Sequence, residues 1–104
     1  VTTGRRQVRA TPAFFDQLDR LLPAEPAGDG RPTRGEFDTF ELLKIIDRFA
    51  AGFDALPQIL PGRPEYRVLV TVGRLVPLVA VVARLGPDGA VELVSVHMDL
   101  PTAG

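Results

Sequence analysis

The last third of the chain leaves few folds open. Three segments rich in apolar and β-branched residues, 66–72, 75–84 and 90–98, follow one another with only turn-forming residues between them. Gly73-Arg74 suits a two-residue hairpin turn, and Gly86-Pro87-Asp88-Gly89 a four-residue one. Connections this short return the chain antiparallel, because a parallel pair needs a crossover of a dozen or so residues. The spacing therefore predicts a three-stranded antiparallel meander. In its first member Tyr66, Val68, Val70 and Val72 alternate with Arg67, Leu69 and Thr71, as in a half-buried strand. The second, 75–84, is apolar on both faces and contains Pro77. Proline lacks the N–H that a central strand donates, so it marks a bulge, an edge or a later strand start. An edge there would invite pairing with another chain.

A sheet with an apolar face needs a cover, and the first half of the chain supplies two helices for it. Residues 5–10 read as a short edge strand. Thr11 then stands as N-cap and Pro12 as the first helical residue. Phe14, Phe15, Leu18, Leu21 and Leu22 fall on one side of a helical wheel, and Pro23 ends the run. Residues 23–35 are rich in Pro and Gly and are expected to form a flexible loop within a single domain, 1–104. The second helix is expected over 39–52, with Asp38 and Glu41 as an acidic capping box, Phe37 stapled onto Leu42, and Gly52 closing it. The reading is an α+β fold ordered β-α-α-β-β-β.

Composition excludes several kinds of chemistry. The chain has no Cys, so it can build neither a disulfide nor a thiolate metal site nor a Cys nucleophile. The longest apolar stretch, 68–85, is interrupted by Gly73, Arg74, Pro77 and Arg84. A helical span needs about 20 apolar residues, so no membrane partner is expected. No basic segment leading into an apolar run opens the sequence, and a cytoplasmic location is expected. The net charge of −1 gives no general surplus for phosphate, so nucleic-acid binding would need a local Arg cluster. No cofactor is expected. His97 and Asp99 share a strand face, but two ligands are too few for a closed zinc site, so no metal is expected either.

Three stretches, VRATPAFFDQLDRL, LPGRPEYRVLV and GAVELVSVHMD, together with the element order, resemble the RelE/ParE toxin superfamily of bacterial type II toxin–antitoxin pairs. The resemblance covers most of residues 5–99 and implies two helices packed on an antiparallel sheet. It also implies a toxin neutralised by a cognate antitoxin, with gyrase or ribosome-bound mRNA as target. RelE-type members cleave mRNA with Arg and Lys on the phosphate and a late Tyr or His. Here no Tyr follows Tyr66, and Lys44 is the only Lys. That departure favours the gyrase-poisoning branch, or a weakly or non-nucleolytic one.

Within the resemblance, Arg67 takes the position of the family's Tyr-Arg pair and His97 the polar end of the last strand. With Arg63 they form the candidate catalytic set for an endoribonuclease, which needs a base, an acid and cations for the phosphorane charge. Arg74 and Arg84 are candidates for binding phosphate or target. Set against this, Arg67 paired to Glu65 or Glu92 and a solvated His97 would both be structural. The alternative function is a non-catalytic protein-binding or homodimerisation module that uses the 75–84 edge.

Overall fold

The computed structural model describes residues 5–26, 28 and 30–100. It has the expected order, with two helical units packed on one face of a four-stranded sheet. The elements are β1 (Val8–Ala10), α1 (Pro12–Leu21), α2 (Arg34–Phe37), α3 (Leu43–Gly52), β2 (Tyr66–Thr71), β3 (Leu78–Leu85) and β4 (Val91–Asp99). The strands lie in the order β1-β4-β3-β2. The meander β2-β3-β4 is antiparallel, while β1 joins β4 in parallel, so the complete sheet is mixed. A parallel neighbour is allowed at that edge because the helices provide the crossover between β1 and the meander.

The first helix starts as its sequence dictates. Thr11 Oγ1 accepts from the Phe14 N–H at 3.3 Å and donates to the Leu93 carbonyl at 2.9 Å, so the cap also ties α1 to β4. Phe14 and Leu18 are buried beneath α1, whereas Phe15 remains partly exposed, against the Arg34 guanidinium.

The second helix begins earlier than the Asp38–Glu41 box predicts. Thr33 is the N-cap, and the reciprocal box is closed by Glu36: the Glu36 N–H donates to Thr33 Oγ1 at 3.1 Å, and the Thr33 N–H to Glu36 Oε1 at 2.9 Å. A π turn over Asp38–Leu42 then joins α2 to α3. Its wider i→i+5 bonding turns Phe37 and Leu42, five residues apart, into the core together and carries Glu41 inward with them. Leu43, the residue after Leu42 and equally apolar, is left exposed. The loop before this helix is closed at its ends by the Arg34 N–H donating to the Pro23 carbonyl at 2.9 Å.

Two features of the meander differ from expectation. Gly73-Arg74 is not a two-residue turn: Thr71 pairs with Val79, so a longer connection separates β2 from β3. Its residue Val76 is fully buried, and Pro77 falls just before the first residue of β3, where its missing N–H removes no ladder bond. The 75–84 segment is also not an edge, because β3 is hydrogen-bonded to β2 on one side and β4 on the other. The edges are β1 and β2. The 86–89 turn forms as read, with the Gly89 N–H donating to the Gly86 carbonyl at 3.0 Å and Gly89 at φ +84°, a value L side chains rarely adopt. A bulge in β4 opposite Val82 and Ala83 shifts the inward phase from Val91 and Leu93 to Val96.

Candidate functional site

The bulge decides where His97 points. Val96 is buried against the helices, so His97, one residue on, stands exposed on the opposite, uncovered face of the sheet. Arg67 lies two residues before buried Leu69 on β2 and shares its helix-side face. The two members of the candidate catalytic set are therefore on opposite sides of the sheet, and the structure does not bring them together.

Arg67 is engaged with main chain. Its Nη1 donates to the carbonyls of Asp54 at 2.9 Å and Leu56 at 2.8 Å, and its Nε to that of Pro64 at 2.7 Å. The guanidinium also lies over the Phe53 ring, 5.6 Å from its centre. One side chain thus fastens the end of the second helical unit to the Pro-rich connection and to β2. The expected alternative, an ion pair with Glu65 or Glu92, is replaced by carbonyl acceptors. Arg63 is exposed, bonded to Glu65 Oε1 at 3.2 Å and placed over the Tyr66 ring.

Arg84 belongs to a charge network on the uncovered face. It donates to Glu92 Oε1 through Nη2 at 2.6 Å and Nε at 3.2 Å. Glu92 reaches Arg9 at 3.4 Å, and Arg9 forks onto Asp88 at 2.9 and 3.1 Å. The hydrogen bond from Arg9 holds the Asp88 carboxyl below its ordinary pKa, and that from Arg84 does the same for Glu92. Both guanidinium groups are held above theirs by these carboxylates. Arg84 is thus neutralised within the fold, which leaves little of it for phosphate.

Arg74 is different. Its backbone N–H donates to both oxygens of Glu41, at 3.0 and 2.9 Å, while its side chain is unpaired. Glu41 is the buried carboxylate that the π turn brings inward, and it packs against Gly73. A Cβ at Gly73 would also come within 2.5 Å of the Val76 carbonyl oxygen, so only glycine fits this approach. The sequence offers Glu41 only as the N3 member of a capping box, and nothing local marks it as buried.

Glu41 and Arg74 sit at one end of a cleft of about 520 Å³ between α3 and β2. Lys44 and Arg48, one helical turn apart on α3, line its wall. Lys44, Arg48 and Arg74 are the cations whose side chains make no hydrogen bond or ion pair among the described residues. Sequence reasoning picked out only Arg74 of these three, because pairing elsewhere decides which charges remain free. Among the described residues no group of three or more His, Cys, Asp or Glu is placed to hold a metal ion, and no helix is long and apolar enough to cross a membrane. No protein-family model, no curated protein and no solved structure matches the chain.

Proposed function

We propose that the protein is the toxin of a RelE/ParE-like toxin–antitoxin pair and that it acts by binding its target rather than by cleaving RNA. The reading of family rests on the element order, a strand, two helical units and an antiparallel meander, with both helical units on one face. The reading of mechanism rests on one observation: Arg67 and His97 face opposite sides of the sheet, with Arg67 spent on three carbonyls. A phosphate held by one is out of reach of the other, and general acid–base catalysis requires hydrogen-bond reach. Gyrase fits such a binding toxin better than ribosome-bound mRNA.

Induced alone, the protein is expected to arrest growth, and co-expression of its cognate antitoxin to relieve the arrest. His97→Ala is expected to arrest growth as fully as the parent, with no new mRNA ends in either culture. Normal growth at high soluble expression overturns the toxin assignment. Loss of both arrest and mRNA cleavage in the His97 variant overturns the binding mechanism alone.

A further inference from the structure

Three observations meet at the cleft between α3 and β2. The first is the edge of the sheet. The Val68 N–H donates outward to the Pro57 carbonyl at 3.1 Å, and the Tyr66 carbonyl accepts from the Ile59 N–H at 3.4 Å. Even-numbered residues of β2 thus send their backbone groups away from β3. The 57–59 segment covers the edge only there. At Val70 the outward N–H and C=O have no partner among the described residues.

The second observation is charge. Lys44, Arg48 and Arg74 are unpaired and flank that open edge, while other arginines around the fold bond to carboxylates or carbonyls. The third is apolar exposure beside the same edge: Val70 is 58% exposed, Val72 79% and Leu43 64%. An open strand edge is a template for another strand, and natural proteins usually blunt it with charge or cover.

The geometry points to a docking site for an acidic segment of a partner polypeptide, added as a fifth strand along β2 on the floor of this cleft. Side chains alternate across a strand. Residues of the segment facing the helices meet Lys44, Arg48 and Arg74, and those between them extend the uncovered face beside Val70 and Val72. The recognised pattern is therefore acidic and aliphatic residues in alternation.

Two other occupants fit less well. A second copy pairing β2 with β2 would bring the same three cations towards each other across the two-fold axis. A nucleic acid would find no aromatic ring lining the cleft for base stacking, and its backbone cannot pair with the open N–H and C=O of Val70 as a strand does.

The probe is a fluorescein-labelled peptide of about six residues, long enough for one strand, with Glu and Val alternating, titrated into the full chain. Controls are the same composition with the Glu residues contiguous, a Lys/Val alternation, and an oligothymidylate of equal charge. The alternating acidic peptide is expected to bind about tenfold or more tighter than each control, as complementary charge and strand register both demand. It should also slow hydrogen exchange at the Val70 amide. Lys44→Glu with Arg48→Glu and Arg74→Glu is expected to weaken binding about tenfold or more. Val70→Pro removes an outward N–H without touching a β2–β3 bond, and should abolish binding while the circular dichroism spectrum is kept. If that variant unfolds, the exchange of Val70 in the parent protein decides the matter. Equal binding of the contiguous or oligothymidylate probe, unprotected Val70, or a β2-mediated dimer in sedimentation would each overturn the proposal. The measurement needs no living cell, so a failure to arrest growth leaves it standing.

Discussion

At the scale of single residues, the informative side chains hold backbone. Arg67 satisfies carbonyls at the end of the second helical unit and in the connection that follows, where no strand or helix partner exists for them. Hydrogen bonds from a charged donor contribute more than neutral ones, and an abandoned acceptor keeps its desolvation cost. Arg67→Ala is expected to lower unfolding stability by about 2 kcal/mol, read from the midpoint of urea denaturation at unchanged slope. Arg67→Lys should recover only part of it, because a single ammonium cannot reproduce the guanidinium fork. An Arg67→Ala variant as stable as the parent would show that the three carbonyl contacts contribute nothing net. Glu41 plays a similar part for the 73–74 backbone: buried at 4% exposure, it accepts from the Arg74 N–H and sits against a glycine that no larger residue can replace.

At the scale of elements, the second helix shows how a local signal can be duplicated. Thr33-x-x-Glu36 and Asp38-x-x-Glu41 both match the capping box, and both precede apolar residues. The first lies in a Gly/Pro-rich segment and includes Gly35, and only the second leads directly into the long apolar run; burial of Phe37 and the closed Thr33–Glu36 pair select the first. Thr33→Ala is expected to cost about 1 kcal/mol. Asp38→Ala, which loses only an i,i+4 ion pair with Arg34, should cost about 0.5 kcal/mol or less. Thermal denaturation of the two variants side by side checks the assignment, and the reverse ranking would restore the later start. Much of the architecture was legible because it is written locally: α1 in its Thr-Pro cap and apolar stripe, the last hairpin in Gly86–Gly89, and the α+β class in the order of periods. Sheet order was not, since whether 75–84 is edge or centre depends on which strands flank it. Nor was the cleft. Glu41 meets its partner 33 residues away, and Lys44 and Arg48 stand out only because the other cations found acceptors.

At the scale of the whole molecule, charge pairs stitch together parts of the chain that are far apart in sequence. Arg9 on β1, Asp88 in the last turn, Glu92 on β4 and Arg84 on β3 run across the uncovered face beside the tight turn, joining an edge strand added in parallel to the meander it flanks. The carboxyls of Asp88 and Glu92 are lowered in the folded protein, chiefly by hydrogen bonds from Arg9 and Arg84 respectively. The unfolded chain therefore binds protons more readily at these two groups, and stability falls as protons are added. Their contribution is fully present above the ordinary values of 3.8 and 4.5 and is lost as pH drops through the lower folded values. Urea unfolding should accordingly show a flat midpoint above that range and a decline below it. Asp88→Asn together with Glu92→Gln is expected to lower the neutral-pH midpoint modestly and to flatten the acid limb, with the two proteins converging at the lowest pH. Salt should shrink the difference, because these groups are solvent-exposed and screened. An acid limb equally steep in the double variant would place the acid sensitivity in other carboxylates and show that these bridges add nothing net to the backbone pairing and core packing that hold β1.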